Sequence, residues 1–302
     1  MGWPNCLRLS NSEVELIIPT DIGLRILHFG FIGGQNIFFL SSDDKGKQGG
    51  NQWRIYGGHR LWHAPEAIPR TYSPDNDPIS YSWDSQTLKI IQPEETGTGI
   101  SKEMEISLSP DKNQVKVLHR LINRNLWSVR LSAWAISALA AGGNAIIPQE
   151  PYGEGTEYLL PARSMALWSY TQMSDPRWIW GNKFIRAKQD PAFHSEQKIG
   201  VLNKQGWASY DMKDEFLIKV FEFDPAKEYP DFNCNNEIYI NGDFLELETL
   251  GPYFDLASLS KTEHTEYWLL SRGSAGDTEE SIKQNILPHV NDLQKRISSL
   301  HK

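Results

Sequence analysis

The chain has 302 residues, with 38 acidic side chains against 30 basic ones for a net charge of -8, and no lysine or arginine block, which argues against nucleic acid as a partner. No stretch approaches the roughly 18 apolar residues of a membrane span, and Met1 to Glu15 lacks the basic-then-apolar order of a secretion signal. Cys6 and Cys234 give no CxxC pair and no disulfide framework, so the expectation is a cytoplasmic protein with no membrane partner.

In chain order, runs that alternate or are rich in β-branched residues predict strands at 14–18, 23–29, 36–40, 79–83, 88–92, 100–108, 114–123 and 129–139. Turn clusters rich in Gly, Pro, Asn, Asp and Ser separate them, at Gly33-Gly34, 41–50, 73–78, 109–113 and 142–144. The second half repeats the style at 184–187, 198–202, 206–211, 216–223, 237–240, 244–248 and 263–271. One segment reads as helix. Asp277 can cap it, Glu280 stands three residues on as in a capping box, and Ile282, Ile286, Val290, Leu293 and Ile297 follow at helical spacing, with Pro288 set to kink it. Many strands, no short-period repeat and one terminal helix exclude a βαβ architecture and predict a large all-β antiparallel sandwich, one domain over 1–302 with a helix at about 277–299.

Residues 57–66 read Gly-Gly-His-Arg-Leu-Trp-His-Ala-Pro-Glu. Two imidazoles, a guanidinium, an indole and a carboxylate within ten residues is the chemistry of a site, because each polar head needs a partner if buried. The alternative is a solvated edge strand. Pro65 and the paired glycines favour an extended chain, in which His59 and His63 share one face and Arg60 and Trp62 the other, unless a bulge near Gly57-Gly58 intervenes.

Late in the chain, 243–252 alternates so that Glu246 and Glu248 share a face. At about 3.4 Å rise per residue their Cα atoms stand roughly 7 Å apart, close enough for each charge to raise the other's pKa and make a general base. A surface strand with one acidic face is the competing reading.

Leu247-Glu248-Thr249, followed after about a dozen residues by another strand, resembles the Leu-Glu-Thr segment of the aldose 1-epimerases (galactose mutarotases). Hexose-6-phosphate mutarotases carry a similar late glutamate. Over the whole chain the pattern resembles an uncharacterised bacterial family allied to that superfamily, on the segments 14–30, 56–76, 174–181, 229–236 and 244–268. The resemblance implies a galactose mutarotase-like β-supersandwich with Glu248 as catalytic base, and an early arginine and histidine that hold the sugar and supply the acid. Gly58-His59-Arg60 and His63 stand in that region. The family's mid-chain histidine has no counterpart: residues 147–152 read Ile-Pro-Gln-Glu-Pro-Tyr.

The expected reaction is therefore mutarotation of a monosaccharide, with Glu248 as base and His63, then His59, as acid. Arg60, Trp62, Arg70, Glu66, Asp231, Trp178 and Glu246 are expected to hold the sugar; Trp178 stands in an aromatic, turn-rich loop and Asp231 in an amide-rich turn. A noncatalytic sugar-binding or regulatory module of the same fold is the rival. Glycoside cleavage by Glu246 and Glu248 is weaker, since neighbours on one face sit side by side instead of flanking a bond. His59, His63 and Glu66 could ligate zinc, but no further histidine cluster completes the set. No metal and no cofactor are expected, and the partner is a small carbohydrate. His28, His119, His194 and His264 read as structural.

Overall fold

The computed structural model describes residues 1–150 and 159–300. Pro151 and Tyr152 of the mid-chain stretch lie outside them. Two antiparallel sheets face each other across an apolar interlayer. The first runs Met165–Leu167, Gln197–Val201, Asn236–Ile240, Leu245–Leu250, Val129–Leu139, Gly58–Ala64, Arg25–Ile26, with Phe254–Leu256 also on Val129–Leu139. The second is ten-stranded: Trp178–Trp180, Phe184–Lys188, Asn144–Pro148, Trp207–Asp211, Glu215–Phe221, Lys261–Arg272, Gln114–Asn123, Ile100–Leu108, Leu88–Ile91 and Ser80–Trp83. Cys6–Ser10, Val14–Pro19 and His28–Phe31 form a third, small sheet. Ile26, Leu61, Leu139 and Leu247 from the first sheet meet Ile90, Met104, Val117, Leu217 and Trp268 from the second in one buried core.

The expected all-β architecture stands, with local departures that have physical causes. The run 36–40 forms no strand and joins its neighbours only through bridges at Phe38 and Leu40. Asn36 is the reason: its Oδ1 accepts from the backbone N–H of Phe29 and Phe38 and its Nδ2 donates to the Leu27 carbonyl, so a side chain takes the place of ladder bonds. Trp178–Trp180, read as loop, is a short edge strand paired with Phe184–Lys188.

At the carboxyl end the cap is Thr278, not Asp277, and the box partner is Ser281, not Glu280. Thr278 Oγ1 accepts from the Ser281 N–H, Ser281 Oγ accepts in return, and the Asp277 carbonyl is occupied by Arg186. The helix divides into Glu279–Asn285 and Leu287–Leu300 next to Pro288. Its apolar stripe, Ile282, Ile286, Val290 and Leu293, covers the outer face of the ten-stranded sheet at Phe216, Ile218, Val220 and Tyr267. No helix among the described residues is long and apolar enough to cross a membrane.

Candidate functional site

The outer face of the first sheet carries the site. Antiparallel register puts directly opposed residues on one face, and here Trp62 opposes Trp134, Arg60 opposes Ile136, Ile136 opposes Glu248, Glu237 opposes Glu248, and Tyr239 opposes both Glu246 and Lys198. Five strands drawn from positions 58 to 250 thus deliver arginine, lysine, carboxylates and indoles to one surface. Gly57 and Gly58 let the chain enter Gly58–Ala64 tightly against Phe39 and Ile26: both have positive φ, and a Cβ on either would lie within 2.4 Å of one of those carbonyl oxygens.

Above this face lies a cavity of about 490 Å³, whose walls include Trp53, Arg60, Trp62, Glu66, Tyr72, Trp134, Trp168, Tyr170, Glu196, Lys198, Tyr239 and Glu246. The Arg60 guanidinium lies over the Trp62 ring, 4.6 Å from its centroid, and donates to Glu246 Oε1 at 2.8 Å. Trp62 in turn meets Trp53, Tyr72 and Trp134 edge-on. Flat apolar faces beside fixed donors and acceptors suit a ring bearing hydroxyls. A groove of similar size, about 520 Å³, runs past Leu7, Leu9, Tyr81, Trp83 and Leu108, but its one charged side chain is Arg8 and it has no carboxylate.

At the cavity floor Lys198 bridges two carboxylates, with Nζ 2.9 Å from Glu237 Oε2 and 3.0 Å from Glu248 Oε2. Its ammonium sits 4.6 and 4.8 Å from the rings of Trp134 and Trp168. Glu248 Oε2 also accepts from Trp134 Nε1 at 2.7 Å, so two wall residues hold one carboxylate oxygen, while Glu248 Oε1 has no hydrogen-bond partner. Burial pushes the Glu248 carboxyl up, against the opposing pull of Lys198. It pushes Glu237 well above the carboxylate range, with Glu248 and Asp231 adding to the rise. Asp231, on the short turn Pro230–Asn233, is raised by burial and interacts with Glu237. Such carboxyls exchange protons nearer neutrality than free ones.

Arg60, Trp62, Glu66 and Glu246 line the cavity as expected from sequence, and Glu248 and Asp231 belong to the cluster at its floor. His59 and His63 do not join them. Alternation holds through Gly58–Ala64 with no bulge, so both imidazoles point away from the cavity face. His59 enters the interlayer, where Nε2 meets His119 Nε2 at 2.7 Å and Nδ1 meets Ser137 Oγ at 2.8 Å. Trp178 is buried against Trp180, away from the cavity. Arg70 bonds His63 Nδ1 at 2.6 Å and the Pro65 carbonyl. Sequence reasoning missed Lys198, Glu237, Trp134, Trp168 and Tyr239; Trp134 and Tyr239 were signalled as aromatic residues within predicted strands, whereas Trp168 adjoins Met165–Leu167, a strand the sequence reading did not predict.

His63 Nε2 meets Glu95 Oε2 at 3.0 Å, and Lys102 pairs with the same carboxylate. Burial alone would raise the Glu95 carboxyl, but Lys102 and His63 outweigh it and lower it to about 2 from its ordinary 4.5. A folded value below the unfolded one gives stability that is present above about pH 4.5 and lost as pH falls toward 2. The unfolding free energy from urea titrations across that window should drop by up to about 3 kcal/mol through this group. The Glu95→Gln protein, less stable at neutral pH, should drop less; equal slopes in the two proteins would contradict the assignment.

His59, His119 and Glu266 have ligand atoms within 4.8 Å of one another, which raises the question of a cation. Lys219 Nζ already pairs with Glu266 Oε1 at 2.6 Å, and Thr249 and Trp268 donate to the same carboxylate. Burial keeps His59, His119 and His264 below the usual imidazole value, so all are neutral near pH 7. The cluster is electrically balanced as it stands; a divalent ion would leave a net double positive charge in a dry interior. The donor set therefore does not fit a metal.

The antiparallel sheets with a short carboxyl-terminal helix match structures described as galactose mutarotase-like, and this chain has that fold. A galactose mutarotase-like protein from Lactobacillus casei superposes with a TM-score of 0.58 at 10% identity, over 88% of this chain and all of that one. A putative aldose 1-epimerase from Escherichia coli superposes with a TM-score of 0.56 at 12% identity, over 89% of this chain and 99% of that one. A TPR-domain containing protein from Parabacteroides distasonis gives 0.60 at 14% identity, with 91% of this chain spanning 48% of that longer one. No protein-family model and no curated protein matches the sequence.

Proposed function

We propose that this protein binds a monosaccharide in the cavity between Arg60, Trp62 and Lys198 and interconverts its anomers. The observation that carries the reading is Glu248 Oε2, 3.0 Å from the ammonium of Lys198, with Lys198 itself in the cavity wall. Glu248 takes the proton of the anomeric hydroxyl while Lys198 gives one to the ring oxygen, which opens the ring. After rotation about the C1–C2 bond, Lys198 takes back the proton of the freed ring hydroxyl as its oxygen attacks C1, and Glu248 returns its proton to the carbonyl oxygen, which recloses the ring as the other anomer and restores both groups. Lys198 takes the acid role that sequence reading gave to the histidines, because the histidines lie behind the sheet. Arg60 and Trp62 orient the sugar by hydrogen bonding and ring stacking.

A noncatalytic binding module has one observation in its favour: Glu248 is fully buried and Lys198 is locked between two carboxylates, which holds its pKa well above the ordinary value despite burial. One structural unit over 1–302 and a cytoplasmic setting belong to the same proposal. Strands drawn from the whole chain into both main sheets support the first, and free Cys6 and Cys234 the second.

Binding is tested by calorimetric titration with a panel of free aldoses. At least one should bind, and Trp62→Ala should weaken it about tenfold or more, the usual worth of a stacking wall and the guanidinium it supports. Uptake unchanged in Trp62→Ala would move the site elsewhere.

A further inference from the structure

We infer that the cavity selects its sugar by charge, taking amino-substituted aldoses best, uncharged ones next, and rejecting phosphorylated and acidic ones; this rests on the carbohydrate reading above. A phosphate or carboxylate ligand needs a cation, or a set of backbone N–H groups, that is free to receive it. Among the described residues the cavity wall has two cations, Arg60 and Lys198. Both are committed, Arg60 to Glu246 at 2.8 Å and Lys198 to Glu237 and Glu248 at 2.9 and 3.0 Å.

The acidic side is in excess. Glu66 and Glu196 stand exposed in the same wall, each accepting a tyrosine hydroxyl, from Tyr72 and Tyr239 respectively, and neither is ion-paired among the described residues. With Glu246 in the wall, Glu237 and Glu248 at the floor and Asp231 behind them, carboxyl groups outnumber cations by six to two around one cavity. Burial favours protonation of the floor carboxyls, which lessens the negative charge there, while Glu66 and Glu196 keep the mouth of the cavity acidic in composition. An ammonium group at the mouth meets Glu66 or Glu196 while the ring keeps the stacking faces of Trp53 and Trp62. A phosphate in the same place meets those carboxylates instead.

The test is titration with three ligands on a common ring, in both gluco and galacto configuration: the 2-amino-2-deoxyhexose, the free hexose and the hexose 6-phosphate. The expected order is amine, then neutral sugar, then phosphate. The amine should gain about tenfold over the neutral sugar at low salt, and the gain should shrink at 0.5 M salt. The double variant Glu66→Gln, Glu196→Gln should bring the affinities for amine and neutral sugar to within about twofold of each other. A phosphate that binds as tightly as the neutral sugar overturns the charge selection and leaves the carbohydrate site standing. A neutral sugar that binds as well as the amine, with no response to the double variant, overturns it too. Absence of binding by every member of the panel overturns the carbohydrate reading and this inference with it.

Discussion

Glu248→Gln is expected to fold as the parent does and to slow anomer interconversion by on the order of 10² to 10⁴, the usual worth of a general base. Glutamine keeps the size of the side chain and an oxygen that can accept from Trp134 Nε1 and Lys198 Nζ, the two donors on Glu248 Oε2. It also removes one of two facing carboxyls whose protonation burial already favours, so the cluster loses a charge it holds at some cost. Sugar affinity should change far less than rate, because binding in the ground state and stabilisation of the transition state are separable. The measurement is exchange between α and β signals by NMR, or polarimetry after dissolving one anomer. If the parent protein binds sugars without accelerating interconversion, the noncatalytic module is the right reading. If the parent is active and the variant equally so, the glutamate leaves the mechanism.

Lys219→Met should be the most destabilising single change of a charged side chain in the interlayer, at about 3–5 kcal/mol, because it leaves a buried carboxylate without its cation. Lys219 is fully buried, pairs with Glu266 at 2.6 Å and donates to Ser137 Oγ and the Leu247 carbonyl. Glu266 keeps Thr249 and Trp268 as donors but no fixed positive charge, its neighbouring imidazoles being neutral. Adding Glu266→Met should recover much of the loss, since replacing a whole buried pair by apolar side chains is often close to neutral. Guanidinium unfolding of the three proteins measures this. A Lys219→Met protein within 1 kcal/mol of the parent would mean that the interlayer is wetter than its geometry implies.

The strands were legible where alternation alone decides the structure. The runs 100–108, 114–123 and 129–139 begin and end where Ile100–Leu108, Gln114–Asn123 and Val129–Leu139 do. The expectation missed Asn144–Pro148, which opens on a turn signal, closes on a proline and is only five residues long. In the site, Arg60, Trp62 and Glu246 were legible because polar and aromatic residues crowd into short segments. The inward turn of His59 and His63 was legible too, through strict alternation, and it was the hope of a bulge at Gly57-Gly58 that misplaced them. Lys198 and Glu237 could not be read at all: each is an ordinary residue on an ordinary strand until Asn236–Ile240 pairs with Leu245–Leu250 and Gln197–Val201. Partnership across fifty residues is set by sheet order, which one sequence does not display.

Lys261–Arg272 is the last strand along the chain and sits inside its sheet, between Glu215–Phe221 and Gln114–Asn123. While that segment is still in the ribosome, everything made before it carries two half-sheets with open, apolar edges, and the core has no Trp268. Leu245–Leu250, with Glu246 and Glu248, likewise arrives late and inserts between Asn236–Ile240 and Val129–Leu139. Folding must then wait until Lys261–Arg272 has been made and close through pairings far apart in the chain, the slow regime of milliseconds to seconds. During that wait the unpaired edges are the part of the molecule most exposed to wrong partners, so yield from a fast-translating host should depend on chaperone supply more than on the stability of the finished fold.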